Sequence, residues 1–333
     1  MTLRAGGVAN VHGLFKLIPA LILLPCAGLF AKVAERLVPD QPEDPEDTMI
    51  KESIKQLDLR LITNPRIALG ETHSMTSNMF EVSLHNYTAC IQQMYEYDPK
   101  RNERMNQRED MIDMMTDVAD KYVVEISPHI TLDYDDRYQS FLMKGLVSIE
   151  RIGDLAINIM QSIINMKSED VQFSNVAMAE LRVLMTAVND ILEMTADAYK
   201  EKSHSMAQRI EPLEEVIDEL VDKVRRRHMW RMKHNLCEVV RGISFQNIIQ
   251  NLERISDQCS DLGVNILGLE DESINGNEHQ YLRDIHHSDD PLYNRLFAKY
   301  KAKYMGVLDS IAVDSVNGNE EEVEKQLKLD IEI

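Results

Sequence analysis

Aromatic residues are scarce in this chain (6%), with a single tryptophan and only 13 glycines and 10 prolines in 333 residues. That scarcity argues against a β-sandwich or barrel, which needs aromatic strands and frequent turn residues. Positive charge is also short: 36 Lys+Arg stand against 56 Asp+Glu, a formal net charge of −20. A nucleic-acid partner is thereby excluded, because phosphate backbones demand a basic face. The four cysteines, Cys26, Cys90, Cys237 and Cys259, never form a Cys-x-x-Cys pair. This rules against a disulfide framework or structural zinc finger and fits a reducing compartment. No Gly-rich phosphate loop and no nucleophile elbow occurs, so the chain reads as a non-enzyme.

Long apolar runs are missing too. Leu17 to Ala31 is an uncharged stretch of fifteen residues between Lys16 and Lys32. At ~1.5 Å per residue it spans roughly 22 Å, short of a ~30 Å hydrocarbon core. Leu14, Phe15 and the segment from Val33 to Val38 extend it to spanning length if both lysines snorkel. Pro19 and Pro25 are tolerated in a membrane helix. We therefore read residues 1–38 as one membrane helix with its flanks. A cleaved signal peptide is the alternative, disfavoured because Arg4 is remote from the apolar stretch. Lys32 and Arg36 outnumber Arg4, which places the carboxy-terminal side in the cytoplasm.

The segment from Ala9 to Phe15, followed by an apolar run containing Leu24-Pro25, resembles the last membrane helix of the bacterial sodium/phosphate cotransporter family. Leu57-Asp-Leu-Arg-Leu61 and Pro65-Arg-Ile-Ala-Leu69 resemble the start of that family's cytoplasmic domain. The family usually carries Asn where Lys16 stands here. The resemblance implies an inner-membrane location, contact with membrane lipid, phosphate as substrate and sodium as co-substrate. The family's transport sites are built from Gln-Ser-Ser-Ser repeats, and none occurs in this chain. The expectation is therefore the final membrane helix plus a regulatory domain. The transporter membrane domain would be supplied in cis, upstream, or in trans by another polypeptide.

Residues 39–50, rich in acid and proline, read as an extended linker. From residue 65 to about 268 the apolar residues recur at helical spacing, giving six long helices and almost no strand signal. Ile248, Leu252, Ile255, Cys259, Leu262 and Ile266 form one such stripe. The segment is internally duplicated. Glu150-Arg-Ile-Gly-Asp154 recurs 103 positions later as Glu253-Arg-Ile-Ser-Asp257, and Glu109-Asp-Met-Ile-Asp113 recurs 105 positions later as Glu214-Glu-Val-Ile-Asp218. Matching offsets imply a repeated three-helix unit, with the first over 51–168, the second over 169–270, and a tail with one docking helix over 271–333.

Residues four apart on a helix share a face, with Cβ atoms about 6 Å apart. Glu150 with Asp154, Glu253 with Asp257, Glu109 with Asp113, and Glu214 with Asp218 are therefore vertical carboxylate pairs. Such like-charge pairs destabilise an isolated helix, so either a cation or Arg151 and Arg254 must compensate them. Oxygen-only shells suit Mg, Mn or Fe. The duplicated string also resembles the PhoU family of phosphate-signalling proteins, built from two three-helix bundles. That resemblance implies that these eight residues hold iron, zinc or another divalent cation. The family often has His directly after the motif Asp, where Leu155 and Gln258 stand here. The predicted fold class is all-α: a membrane helix followed by a PhoU-like pair of three-helix bundles. A self-standing PhoU-like regulator, membrane-tethered or soluble, is the alternative.

Two basic features complete the reading. The run from Lys223 to Lys233 (KVRRRHMWRMK) reads as a solvated face that offsets the acidic body, with anionic lipid headgroups as the alternative. His286-His287 lies in a polar tail and reads as a solvated pair.

Overall fold

In the computed structural model the described residues are 44–311, apart from Asn235, residues 237–238 and residues 287–288, together with a few isolated positions between 15 and 28. The membrane helix expected over residues 1–38 lies outside them but for those isolated positions. Among the described residues no helix is long and apolar enough to cross a membrane. Among the described residues the chain divides at Thr48 and Met49 into two units.

In chain order the main helices are α1 Pro45–Gln56, α2 Pro65–Tyr95, α3 Pro99–Ile126, α4 Asp133–Ser168 and α5 Asn175–Glu201. They continue as α6 His204–Ala207, α7 Glu211–Lys233, α8 Val239–Glu270, α9 Glu278–His286 and α10 Pro291–Ser310. No strand occurs among the described residues.

The helix starts follow from local chemistry. Asp44-Pro45, Asp98-Pro99 and Asp290-Pro291 each put a capping carboxylate before a proline whose missing N–H is not needed in the first turn. The aspartates accept from the backbone N–H of Glu46 (2.9 Å), Lys100 (2.9 Å) and Tyr293 (2.8 Å). This signal corrects two expectations. Part of the segment read as an extended linker is α1, because Asp44 caps it and Glu46 and Asp47 sit at the positive end of its dipole. The tail holds two helices, α9 and α10, not one, since Asp290-Pro291 starts a new helix.

Helices α2, α3 and α4 pack together as one bundle, and α5, α7 and α8 as a second. The bundles join chiefly where α4 lies along α8, and also where α2 meets α5. The stripe from Ile248 to Ile266 on α8 is buried at every position, each large side chain contributing about 1.5–3 kcal/mol. Polar links cross the junction. The hydroxyl of fully buried Tyr87 on α2 donates to the Met185 carbonyl on α5 at 2.8 Å, and Asn265 on α8 donates to the Phe141 carbonyl on α4 at 2.8 Å. α10 lies on α7 and α5, with Tyr300, Tyr304 and Leu308 buried and the Tyr304 hydroxyl donating to the Asp190 carboxylate.

The basic run on α7 is not simply a solvated face. Arg227 and Arg231 turn inward to Glu180 of α5, which has no solvent exposure, and His228 is buried beside them. A fully buried carboxylate demands cations nearby, and helical spacing puts Arg227 and Arg231 on the same face one turn apart.

Candidate functional site

The duplicated motifs assemble two carboxylate clusters, one per bundle. In the first, Glu109 and Asp113 from α3 meet Asp154 from α4; in the second, Glu214 and Asp218 from α7 meet Asp257 from α8. Within each trio one oxygen per residue lies within 4.8 Å of the others. The arrangement follows from the helix period: the acidic i,i+4 pair of one helix faces a single aspartate of the next.

The other two acids of the motifs stand apart from these trios. Glu253 accepts an ion pair from Arg225 on α7 at 2.8 Å. Glu150 keeps to the edge of the first cluster, where the charges of Asp154 and Asp113 add to burial in raising its pKa. Six of the eight expected residues thus make up the two trios, and Glu253 is paired with Arg225.

The two clusters differ in enclosure. Glu109 is partly buried and Asp113 and Asp154 exposed, whereas Glu214 is 8% exposed. Burial, reinforced by Glu211, Asp218 and Asp257, pushes the Glu214 pKa far above the carboxylate range. Burial and then the Asp257 charge raise Asp218 to about 7; burial and then Glu253 raise Asp257 to about 6. Glu109 and Asp154 are raised by burial and by the charge of Asp113. Desolvation and like charge both favour the protonated form, so each trio is a site short of positive charge. The arginines supply it only at longer range: neither Arg151 nor Arg254 forms an ion pair among the described residues, but Arg254 and Arg151 moderate Asp257, and Arg151 also moderates Asp154 and Asp261. Three carboxylates from two rigid helices, within 4.8 Å, can share a divalent cation.

The surroundings of the second cluster were not foreseen. Glu211, Glu214, Glu215 and Asp218 form a stripe at i, i+3, i+4 and i+7 on α7, a spacing that the residue order alone carries. His286, read as solvated, comes in from α9: its Nε2 lies 2.5 Å from a Glu211 oxygen and its Nδ1 3.4 Å from Glu215. Ser260 of α8 donates its hydroxyl to the other Glu211 oxygen. Beside these groups a cavity of about 210 Å³ is lined by Gln208, Glu211, Ser260, Tyr281 and Tyr293. An imidazole does reach the acidic stripe, though not from the motif position: Leu155 is buried and Gln258 donates to Asp261 at 3.4 Å.

Residues 181–266, from α5 to α8, match the PhoU domain family. The phosphate-specific transport system accessory protein PhoU homolog 1 of Thermotoga maritima is 24% identical over 178 residues, covering 53% of this chain and 75% of that protein. The structure of PhoU from Pseudomonas aeruginosa superposes with a TM-score of 0.57 at 19% identity, over 60% of this chain and 96% of that one. The phosphate transport system regulatory protein PhoU from Streptococcus pneumoniae gives 0.57 at 17% identity, over 63% and 98%. The paired three-helix bundles are therefore a PhoU-like fold, and the second carboxylate cluster lies inside the matched PhoU domain.

Proposed function

We propose that this chain is a PhoU-like regulator of phosphate uptake whose two carboxylate clusters bind divalent cations. We read it as the carboxy-terminal part of a sodium-dependent phosphate cotransporter, with the transport core outside this chain. The repetition of one three-carboxylate arrangement in both bundles carries the cation reading. Glu109, Asp113 and Asp154 would hold one ion, and Glu214, Asp218 and Asp257 another. Oxygen-only donors suit hard or borderline cations, iron and other divalent metals among them. A bound cation would supply charge that locks two helices of each bundle together, so that occupancy is read as bundle rigidity.

The names of the matched proteins, an accessory and a regulatory protein of phosphate transport, support the role in phosphate uptake. The residues resembling a cotransporter's last helix support its placement at the inner membrane. The bundles would then lie on the cytoplasmic side, touching membrane lipid and a transporter membrane domain in cis or in trans. A self-standing regulator is the second reading. It is favoured by the match to 96% and 98% of two PhoU chains, which accounts for nearly the whole of those proteins.

Elemental analysis of the purified protein tests the clusters. Near-stoichiometric iron, zinc or manganese, lost in Glu214→Gln/Asp218→Asn combined with Glu109→Gln/Asp113→Asn, is the expected result. Sub-stoichiometric metal that does not change in the variant removes the cation reading. Uptake of radiolabelled phosphate, with and without sodium, in cells producing parent or variant tests the role. Uptake indifferent to the chain in every condition removes the regulatory reading.

A further inference from the structure

Lys202 caps α5 with φ of 50°, a left-handed conformation that glycine adopts freely and a lysine only against strain. A residue other than glycine or asparagine held there points to a constraint beyond the turn itself. Among the described residues its amine meets no carboxylate. Nζ lies 3.4 Å from His73 Nδ1, 3.2 Å from the Tyr138 hydroxyl and 5.2 Å from the centre of the Tyr138 ring. Two residues earlier, by contrast, Lys200 pairs with Glu81 at 2.8 Å.

His73 is oriented towards this amine. Its Nε2 lies 2.9 Å from the Tyr199 backbone carbonyl. A carbonyl can only accept, so Nε2 carries the proton and Nδ1 presents its lone pair to Lys202. Three helices hold the arrangement: His73 from α2, Tyr138 from α4 and Tyr199 from α5, whose hydroxyl is tied to Thr76 at 3.0 Å. Burial, helped by the Lys202 charge, lowers His73 to about 4, and burial also lowers Lys202. Burial thus keeps His73 neutral and makes the Lys202 amine give up its proton more readily.

We propose that Lys202 is an activated amine and the chain's preferred site of covalent acylation by small acyl donors, acyl phosphates or acyl thioesters. The amine lone pair attacks the acyl carbon and an N–C bond forms. The bond to the leaving phosphate or thiolate breaks with its electron pair. The proton shed by the amine passes by way of His73 Nδ1 to the departing anion. Acylation removes the cation from the junction of α2, α4 and α5, the place where the two bundles meet, so it would alter how they pack.

The test uses the full chain with acetyl phosphate at neutral pH, and peptide mass spectrometry of each lysine at low conversion. Lys202 is expected to acetylate several-fold faster than Lys200 and the exposed Lys100. A rate at or below theirs overturns the proposal. His73→Gln keeps a donor towards the Tyr199 carbonyl and removes the basic nitrogen, so the Lys202 to Lys200 ratio should fall towards one. An unchanged ratio in a variant whose circular dichroism matches the parent overturns the role of His73. The parent ratio decides the proposal even where the variant fails to fold.

Discussion

Arg231 places Nη2 2.6 Å from an oxygen of Glu180, and the two residues are 4% and 0% exposed. Arg227 approaches the other Glu180 oxygen at 3.5 Å while its guanidinium donates to the Leu308 and Ile311 carbonyls at 2.8 and 3.2 Å. One buried carboxylate thus joins α5, α7 and the end of α10. Removing Arg231 leaves the buried Glu180 charge with only the longer contact to Arg227, a loss that approaches the cost of a broken buried pair, about 3–5 kcal/mol. Arg231→Met and Glu180→Leu should therefore each destabilise, by up to that amount, in urea unfolding. Glu180→Leu combined with Arg231→Met should recover most of the loss, since a matched apolar pair avoids the desolvation penalty. Additive losses in this double-mutant cycle would show that the pair is not coupled.

The contact of His286 with Glu211 makes tail docking depend on pH. The Glu211 hydrogen bond, with the Glu211 and Glu215 charges behind it, raises the His286 pKa above 6.5 against the opposing effect of burial. A histidine raised on folding contributes stability that is complete below 6.5 and is lost as pH rises through the folded value. Amide protection over residues 278–286, corrected for intrinsic exchange, should be higher at pH 6 than at pH 8. His286→Gln should flatten that difference while leaving the protection of α8 unchanged.

Much of this was legible because it is periodic. The duplication of Glu109-x-x-x-Asp113 as Glu214-x-x-x-Asp218, with Asp154 echoed by Asp257, exposed the repeat, and helical spacing alone put each pair on one face. What stayed hidden depends on contacts across long separations. His286 reaches Glu211 over 75 positions, and Arg231 reaches Glu180 over 51. No local pattern marks a histidine as anchored or an arginine as buried when its partner lies on another helix. The run of basic residues on α7 looks solvated in composition because the buried acid that Arg227 and Arg231 serve sits on α5. The Asp-Pro helix starts at Asp44 and Asp290 were local, and were masked by the charge and proline content of their surroundings.

Protons and metal should compete at the second cluster. Asp218 and Asp257, raised to about 7 and about 6, hold their protons more tightly when folded than the ~3.9 of an unfolded aspartate allows. The metal-free protein should therefore become more stable as pH falls from 8 through 6. Adding manganese at 100 times its dissociation constant should contribute about 2.7 kcal/mol at pH 8, and much less at pH 5.5. Asp218→Asn should remove most of both effects. It should also raise the metal-free melting temperature at pH 8 by roughly 2–4 °C, the equivalent of about 1 kcal/mol of relieved repulsion. Differential scanning calorimetry at the two pH values, with and without metal, reads all four quantities.

Two glycines, both inside long helices, should respond in opposite directions to the same substitution. A Cβ on Gly145 of α4 would stand 2.6 Å from the Tyr199 hydroxyl and 2.8 Å from its ring. Tyr199 cannot withdraw: it is fully buried, its hydroxyl is bound to Thr76, and its ring stacks on Phe141 with centres 5.0 Å apart. Gly145→Ala should therefore overpack the junction and destabilise by about 1–3 kcal/mol. It should also disturb the neighbouring aromatic set of His73 and Tyr138, visible as a change in near-ultraviolet circular dichroism. Gly70 of α2 meets nothing within 4 Å of the added atom, so Gly70→Ala gains helix propensity without a clash and should stabilise by roughly 0.5–1 kcal/mol. Urea midpoints for the two variants should fall on opposite sides of the parent, and a common direction would mean that α4 does not approach α5 as closely as Tyr199 places it.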